Sequence, residues 1–277
     1  MVAAARSVEL EAAYASCARD ARRHYENFPV ASLFVPKPMR PAVAAVYAFA
    51  RAADDFADEG DLAPARRLAL LEGWSERLRI AAAGGTQRAA SSGEPANAGA
   101  IFAALGDSIR RFGLPVSLLE DLLSAFRQDV IVSRYATWDE LLDYCRRSAN
   151  PVGRLVLRIG RLSDPQLDAW SDDICTALQL ANCWQDVEVD RRKGRQYLPD
   201  GESLPAAVQR TRGLFASGRP LCDAVRGRLR YELRATWLGG VRILDRIEQR
   251  GFDRSRPSLG LADAPWLAVR LLAWRTR

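Results

Sequence analysis

The sequence has only one histidine, His24, among its 277 residues. A single imidazole excludes metal centres built from several histidines, and it leaves little room for a Ser-His-Asp arrangement. A GxSxG elbow, a Walker phosphate-binding loop and a GxGxxG fingerprint are also missing. The motifs typical of α/β hydrolases, P-loop nucleotidases and dinucleotide-binding domains are therefore not visible in this chain.

Cysteines and long apolar runs are scarce as well. The five cysteines are scattered without a CxxC pair, which favours neither a disulfide framework nor a zinc site and suits a reducing cytosol. No apolar run reaches the about 18 residues needed to span a bilayer, and the first residues, MVAAARSVELEAAYA, carry acids where a signal peptide has an apolar core. We expect a cytoplasmic protein that is soluble or peripheral on the inner membrane face.

Charge of one sign is not concentrated in a long run. The formal net charge is +6, but 34 acidic residues are interspersed among 40 lysines and arginines. A nucleic-acid partner is therefore not expected, whereas anionic small molecules or a membrane surface suit the positive balance. Because 48% of the residues are hydrophobic, the chain can bury one sizeable core, which favours a single domain over residues 1–277.

Helical periodicity dominates the chain, and the alternating patterns typical of strands are hard to find. Pro41 and Gly60 delimit one helix, and Pro115 begins another. The capping box TWDE at residues 137–140 opens a third helix. The sequence therefore predicts an all-α fold.

The extent of two segments can also be predicted. Residues 84–99, GGTQRAASSGEPANAG, are rich in glycine, serine and alanine and are expected to form a surface connection between helices. Residues 163–190 contain no internal helix breaker and have Pro165 in the first turn, so they are expected to form one long helix.

The stretch ARAADDFADEG at residues 50–60 places acids at the unfavourable end of a helix. The macrodipole disfavours negative charge in these last turns, which contain Asp54, Asp55, Asp58 and Glu59. Like charges four residues apart add a penalty of roughly 0.2–0.5 kcal/mol per pair in an isolated helix. Another interaction should offset this cost.

The second long helix carries a similar stripe. Asp186 and Asp190 lie four residues apart, and hydrogen-bonding side chains precede them on the same face at Asn182, Gln179 and Cys175. This face is polar in a helix that is otherwise apolar.

The first helix repeats this arrangement, since Asp54 and Asp58 are preceded on one face by Arg51 and Tyr47. A lone DxxxD pair is most simply explained as a solvated surface feature. Two such pairs on helices rich in Ala, Val, Leu, Ile, Phe and Trp instead suggest that both helices are buried. Buried carboxylates need cations.

Mg²⁺ is the cation that suits these ligands. It usually binds through one or two carboxylates together with water and substrate phosphate. A bound metal and diphosphate would convert the repulsive acids into a binding site. Arg51, one turn before Asp54, is placed to hold phosphate oxygens, because a guanidinium group is a bidentate donor.

Several motifs in a fixed order make the chain similar to a known family. Between about residue 24 and about residue 250 the sequence contains HYENFPVAS, YAFARAADDFADEG, YCRRSANPVGRLVL, LQLANCWQDVEVDRRKGRQYLP and GGVRILDRIEQRGF. In content and order these motifs resemble the trans-isoprenyl diphosphate synthases of the squalene/phytoene synthase type. A set of ordered motifs is far more specific than one acidic pair.

The resemblance implies an all-α isoprenoid synthase fold around a central cavity, and an enzyme that uses Mg²⁺ to act on a prenyl diphosphate. It implies that the metal is held by four catalytic acids, Asp54, Asp58, Asp186 and Asp190. It assigns Tyr144 to catalysis, and it assigns the following residues to substrate binding: Asn27, Phe28, Tyr47, Arg51, Asn150, Gln179, Asn182, Arg195 and Tyr197.

Within the family, HYENFPVAS and SANPVG are most similar to the hydroxysqualene synthase branch of hopanoid biosynthesis, which converts presqualene diphosphate and water into hydroxysqualene and diphosphate. Three departures from the family are visible, and one of them is that the chain is short between Pro199 and the C-terminal helices. Asn27 stands where many relatives have a serine, and Gly239 and Gly240 stand where carotenoid-type relatives have a tyrosine.

Two alternatives remain open from the sequence. One is a related synthase that makes presqualene diphosphate, squalene or phytoene, because all of these enzymes share the ionisation step. The other is a non-catalytic helical protein that serves in assembly or membrane binding. Two costly acidic clusters argue against the non-catalytic alternative.

Aromatic side chains are candidates for stabilising a carbocation. The ring faces of Phe28, Tyr47 and Tyr144 would each contribute roughly 0.5–2 kcal/mol. Phe49 and Trp184 are instead assigned to the core.

Two further segments have alternative interpretations. Asn150 precedes Pro151 at an expected helix break, and its amide is a candidate for holding a water molecule. The segment APWLAVRLLAWRTR at residues 264–277 is interpreted either as a helix that closes the core or as a basic amphipathic helix on an anionic bilayer.

Overall fold

A computed structural model describes residues 2–24, 34–251 and 256–276 of the chain, with the backbone alone for residues 2–7, 23 and 24. The predicted all-α fold is confirmed, because no β-strand occurs in these ranges. In the same ranges, Arg134 and Gln196 form an isolated parallel β-bridge that belongs to no strand.

The helices follow one another with short connections. The first five are α1 (Val2–His24), α2 (Arg40–Asp58), α3 (Pro64–Ala82), α4 (Ala98–Phe112) and α5 (Val116–Ile131). They are followed by α6 (Trp138–Ser148), α7 (Asn150–Ile159), α8 (Pro165–Gln185), α9 (Val187–Arg192), α10 (Leu204–Gly218), α11 (Leu221–Ala224), α12 (Arg228–Gln249), a 3-10 turn (Leu261–Asp263) and α13 (Ala264–Leu272).

The chain divides into two compact units. The described residues of Met1–Glu26, Pro36–Ile131 and Leu155–Leu162 form the first, which contains α1 to α5 and the end of α7. The described residues of Asn27–Val35, Val132–Arg154 and Ser163–Arg277 form the second. That residues 1–277 act as a single domain stays a prediction.

An aromatic cluster forms the core of the first unit. The indole of Trp74 on α3 stacks on Phe49, meets Phe56 edge-on at 5.2 Å, and lies 4.5 Å from the Phe102 ring of α4. The Trp74 indole nitrogen donates to the Phe49 carbonyl oxygen at 3.2 Å, so the polar end of this fully buried side chain is satisfied. Helix α2, which carries the first acidic pair, is therefore anchored by its aromatic face.

The connection between α3 and α4 has the composition of a loose surface loop, but a buried ion pair fixes it to α3. Glu94 in this segment is 2% exposed and forms an ion pair of 2.8 Å with Arg77 of α3, which is 1% exposed. Burial alone would raise the pKa of the Glu94 carboxyl, but hydrogen bonds from Arg77 and from the Ser91 N–H group lower it to about 2. The surface connection predicted at residues 84–99 is thus clamped onto α3 by a buried salt bridge.

Helix α8 is the central element of the second unit, and it packs against α6, α10, α11 and α12. Three glycines allow this close packing. A Cβ atom would lie 2.3 Å from Ser171 Oγ at Gly153, 2.7 Å from the Trp170 carbonyl oxygen at Gly218, and 2.8 Å from Leu178 Cδ2 at Gly240. Side chains at these positions would separate the helices. The glycine-contact positions are defined here as residues 153, 218 and 240.

The predicted long helix at residues 163–190 is interrupted. Helix α8 ends at Gln185, Asp186 adopts φ −105° and ψ 11°, and α9 then begins at Val187. Backbone hydrogen bonds continue across the break, because the Asp186 N–H group donates to the Asn182 carbonyl and the Asp190 N–H group donates to the Asp186 carbonyl. The interruption is therefore a local change of backbone conformation at the first acid of the pair.

Other predicted boundaries are confirmed. Thr137 and Glu140 form the capping box that opens α6. Pro151 lies in the first turn of α7, two residues after the C-cap of α6 at Ala149, and so separates the two helices. Gly60 has φ +70° directly after α2, a conformation that glycine adopts without steric cost.

Helix α13 packs on α12 but does not close a core, because none of its residues is buried. Trp266 on this helix and Trp274 just after it hold the segment in place. Trp266 lies beneath the guanidinium groups of Arg242 and Arg270, while the Trp274 indole nitrogen donates to Asp223 at 2.7 Å. Among the described helices, none combines the length and the hydropathy required to cross a bilayer.

Candidate active site

The first acidic pair lies at the C-terminal end of α2 and is organised by Arg51. Arg51 Nη1 donates to Asp54 at 3.3 Å, and Nη2 lies 2.6 Å from both Asp55 and Glu59. Arg51 Nε is buried and has no hydrogen-bond partner among the described residues. One guanidinium group therefore neutralises part of the cluster and still has a donor to offer.

Asp54 titrates in an unfavourable environment. Desolvation raises the pKa of the Asp54 carboxyl, and the positive charge of Arg51 lowers it. The negative charges of Asp58, Asp55 and Glu59 raise it further, so that the pKa is about 6. Because the side chain is 45% exposed, water screens part of this cost. The cluster carries more negative charge than Arg51 compensates.

The second acidic pair is built in a similar way. Asp186 is 14% exposed and accepts hydrogen bonds from Nε and Nη2 of Arg256, the second of them at 3.2 Å. Asp190 is half-buried one turn later in α9. Arg256 lies outside the sequence motifs that suggested the site, and sequence reasoning missed it.

The expected burial of both pairs is only partly observed. Asp186 and Asp190 are half-buried, but Asp58 is exposed and Asp54 is nearly half exposed. The physical reason is that Ala53, Phe56 and Ala57 form the buried face of the last turns of α2, and Asp54 and Asp58 do not belong to that face. Within the described ranges, no three His, Cys, Asp or Glu side chains come together in an arrangement that holds a metal ion.

Three tyrosines form a cluster in the second unit. The buried ring of Tyr144 lies 5.2 Å from Tyr135 and 5.9 Å from Tyr197, and the Tyr135 and Tyr197 rings stack at 5.5 Å. The tyrosine cluster is defined as these three residues. The structure thus brings two predicted site residues, Tyr144 and Tyr197, into one arrangement.

Tyr135 is the member that sequence reasoning missed. Its N–H group donates to the Gln196 carbonyl, and the Gln196 N–H group donates to the Ser133 carbonyl. This pairing places Tyr135 beside Tyr197 across more than sixty residues of sequence. The position of Tyr135 two residues before the capping box of α6 was the available signal, but it did not specify this partner.

Polar site residues on α8 and after α9 occupy different environments. Gln179 is half-buried and Asn182 is exposed. Beyond α9, Gly194 turns the chain with φ +75°, and the Arg195 N–H group donates to the Asp190 carbonyl at 2.8 Å. The GRxYLP segment is therefore tied by its backbone to the second acid of the pair.

Asn150 is buried at the start of α7 and accepts a hydrogen bond of 2.9 Å from the Thr176 hydroxyl of α8. This contact fixes the orientation of the amide. Tyr47 is half-buried on α2, and burial raises the pKa of its hydroxyl. The predicted core positions are confirmed, since Phe49 and Trp184 are 0% and 2% exposed. Asn27 and Phe28 lie outside the described residues.

Comparison with known proteins identifies the class of this fold and site. A model of the squalene/phytoene synthase family matches residues 21–203, a range that contains both acidic pairs and the tyrosine cluster. The chain belongs to the squalene/phytoene synthase family. The resemblance inferred from the ordered motifs is thus confirmed.

Individual relatives refine the comparison. The hydroxysqualene synthase of Zymomonas mobilis is 41% identical over 204 residues, which cover 72% of this chain and 64% of that protein. The hydroxysqualene synthase of Sinorhizobium fredii is 39% identical over 65% of this chain and 57% of its own length. The aligned part of this chain spans less than two thirds of the length of either relative.

A solved structure also matches. The crystal structure of the squalene synthase HpnC from Alicyclobacillus acidocaldarius superposes with a TM-score of 0.78 and 38% sequence identity, covering 89% of this chain and 97% of that one. The predicted isoprenoid synthase fold is confirmed by this similarity.

Proposed function

We propose that this protein is a Mg²⁺-dependent enzyme that converts presqualene diphosphate and water into hydroxysqualene and diphosphate, in hopanoid or squalene biosynthesis. The observation that carries this proposal is the similarity, at 41% and 39% identity, to two proteins named hydroxysqualene synthase. The order of the sequence motifs supports the same branch of the family.

The donor sets of both acidic pairs suit Mg²⁺, which prefers carboxylate oxygens. Desolvation and then the neighbouring acids raise the pKa of Asp54, and Asp186 already binds a guanidinium group, so each pair accepts positive charge. Asp54, Asp58, Asp186 and Asp190 are the residues that would hold the metal. When bound, Mg²⁺ supplies Lewis-acid stabilisation of the leaving diphosphate.

The side chains of the protein have three further roles in this proposal. Arg51 binds diphosphate oxygens through its guanidinium group, which already lies among the acids of the first pair. The rings of Tyr144 and Tyr197 present π faces that stabilise a cation after the diphosphate leaves. Polar contacts with the substrate come from Gln179, Asn182 and Arg195, and the proposed binding residues also include Tyr47, Asn27 and Phe28.

Asn150 is proposed to orient the attacking water. Its oxygen accepts a hydrogen bond from Thr176 and has a second lone pair, so it is able to accept a hydrogen bond from a water molecule as well. A carbocation reacts with the nearest nucleophile, and a pocket that admits one oriented water would therefore form an alcohol.

Product analysis tests the proposed function. Purified protein with presqualene diphosphate and Mg²⁺ in heavy-oxygen water should form hydroxysqualene that carries the label, with or without NADPH, and removal of the metal with a chelator should stop the reaction. Formation of squalene only when NADPH is present would favour the alternative suggested by the name of the similar squalene synthase structure. Condensation of farnesyl diphosphate without alcohol formation would equally contradict the assignment.

We also propose that the protein contacts the membrane peripherally through its C-terminal segment. Leu261, Val269 and Leu272 are 93%, 62% and 88% exposed, and Arg270 and Arg275 lie among them at the surface. An apolar surface flanked by arginines suits an anionic bilayer.

Vesicle sedimentation tests this contact. The wild type should bind phosphatidylglycerol vesicles, and a variant with Val269→Asp and Leu272→Asp should bind them at least about tenfold more weakly, because both changes place charge on the apolar surface. Val8→Asp combined with Ile131→Asp is the matched control, since it also adds two negative charges and both residues are exposed apolar residues of the first unit, at 66% and 69%. Equal binding of the double variant and the control would exclude the C-terminal segment as the contact.

A further inference from the structure

A cavity lies between α10, α11 and α12 and is lined by residues of the second unit alone. Its volume is about 380 Å³, which is within the range of pockets that bind small molecules. None of the residues that line it belongs to an acidic pair or to the tyrosine cluster. The cavity is therefore built from residues that have no role in the proposed reaction.

Apolar side chains form most of the cavity wall. Phe215 and Ala216 come from α10, while Trp237 and Val241 come from successive turns of α12. The Trp237 indole nitrogen donates to the Phe215 carbonyl oxygen at 2.7 Å, and the two rings meet at 83° with their centroids 6.2 Å apart. Because its N–H group is satisfied in this way, the Trp237 ring offers apolar surface to a ligand.

One end of the cavity carries an excess of positive charge. Arg219 lines this end together with Asp223. The Asp223 carboxylate is already paired with Arg234 at 2.9 Å and accepts a hydrogen bond from the Trp274 indole at 2.7 Å, whereas Arg219 Nη1 lies 3.5 Å from it. Two guanidinium groups thus share one carboxylate, which leaves one positive charge in excess.

The other end lies two helical turns earlier on α10 and has the opposite balance of charge. Arg212 lines this end and is paired with both Asp245 and Glu248 at 2.7 Å. Two carboxylates here outnumber one guanidinium group. A ligand with one negative charge is therefore attracted towards Arg219 and repelled from the opposite end, so the cavity determines the direction in which it lies.

We propose that this cavity binds a single-chain amphiphile with one anionic head group, which lies at Arg219 while the chain packs against the Phe215 and Trp237 rings. A guanidinium group that shares its carboxylate is able to bind a second anion, because it has five N–H donors. The volume admits one short chain but not the two chains of a phospholipid. This binding site does not depend on the proposed function.

Decanoate is a suitable probe, and partial analogues separate the contributions of its head group and its chain. Decanol lacks the charge and acetate lacks the chain, so each should bind at least about tenfold more weakly than decanoate. Decylammonium should bind more weakly still than decanol, because its charge is repelled by Arg219. Tighter binding of decylammonium than of decanoate would overturn the inference.

Fluorine NMR of protein labelled with 5-fluorotryptophan observes this cavity separately from other sites. The chain has seven tryptophans, and the Trp237 signal is assigned by its loss in Trp237→Phe. Decanoate should shift the Trp237 signal in a saturable way that yields the dissociation constant. This specific readout is needed because the proposed reaction site also accepts an amphipathic anion.

Two substitutions test the cavity from different sides. Ala216→Met places a longer side chain in the cavity from an exposed position of α10, so it should weaken decanoate binding at least about tenfold. Arg219→Gln should weaken it by about 10- to 100-fold through the loss of hydrogen bonds to a charged group, and Arg219→Lys should recover part of this loss. Arg219 also lies over the Trp274 ring at 4.6 Å. Ala216→Met leaves that contact in place and decides the question if Arg219→Gln is unstable.

Ala224→Met and Arg226→Gln are the matched controls, since both residues are exposed and neither lines the cavity. Both should bind decanoate as the wild type does. A Trp237 signal that does not move at millimolar decanoate, or equal affinities of Ala216→Met and the wild type, would overturn the inference. Decanoate binding at this cavity in a protein that forms no hydroxysqualene would retain the inference and reject the proposed function alone.

Discussion

Replacement of Asp54 by asparagine is expected to reduce diphosphate release from presqualene diphosphate by on the order of 10²–10³-fold, the loss found when one preorganised electrostatic contact to a transition state is removed. The amide has a similar shape, but it offers a neutral oxygen in place of a carboxylate. Because Asp54 carries the charge that would hold Mg²⁺, kcat should fall more than KM rises. Steady-state release of diphosphate measures the effect.

The same substitution should not destabilise the metal-free protein. The pKa of Asp54 is raised to about 6, so its ionised form is less favourable in the folded chain than in the unfolded one. The variant should therefore have a higher Tm than the wild type above pH 6. This difference should shrink as the pH falls through 6, and it should vanish below about 3.8, where the carboxyl is protonated in both states.

Asp186→Asn extends the prediction to the second acidic pair and should also lose activity by on the order of 10²–10³-fold. Asp173→Asn is a suitable control, since Asp173 lies on α8, accepts from Ser217 at 2.5 Å and belongs to neither pair. Turnover at the wild-type rate by Asp54→Asn or Asp186→Asn, with saturating substrate, would contradict the assignment of that pair to the metal.

Gly218→Ala is expected to produce the largest loss of stability. The new methyl group would lie 2.6 Å from Ile174 Cγ1 and 2.7 Å from the Trp170 carbonyl oxygen, and the backbone of α8 cannot move as a flexible side chain can. Overpacking of this kind costs typically 1–3 kcal/mol, and we expect about 3 kcal/mol because a main-chain atom is involved. The Tm should fall by roughly 6–12 °C in a thermal melt.

Gly213→Ala on the same helix is the matched control. Gly213 is exposed, and a Cβ atom there would meet nothing within 4 Å. Alanine should therefore stabilise α10 by about 0.5–1 kcal/mol through its helix propensity. If both alanine variants changed the Tm in the same direction by similar amounts, α10 would not approach α8 as closely as the structure shows.

Local features of the fold could be predicted from the sequence because they depend on neighbouring residues. The capping box at Thr137, the helix break at Pro151 and the glycine after α2 each reflect the chemistry of a few consecutive positions. Helical spacing also placed Arg51 beside Asp54, since residues three apart share a helix face.

Contacts between distant segments could not be predicted in this way. Arg256 reaches Asp186, and Tyr135 reaches Tyr197, through tertiary packing that no local pattern encodes. The interruption of the long helix at Asp186 was missed for a related reason, because the sequence there contains neither proline nor glycine. The buried pair of Arg77 and Glu94 was hidden within a segment whose composition is typical of a loop.

The glycine-contact positions also constrain how this chain can diverge. At position 153 the available space is set by Ser171 and Cys175 on α8, whose side chains would lie 2.3 and 2.6 Å from a new Cβ atom. A larger residue at 153 requires both side chains, at 171 and at 175, to move or to become smaller. Residues 153, 171 and 175 should therefore covary among relatives. More generally, a change at one of the glycine-contact positions should be accompanied by a change in the residues of α8 that face it.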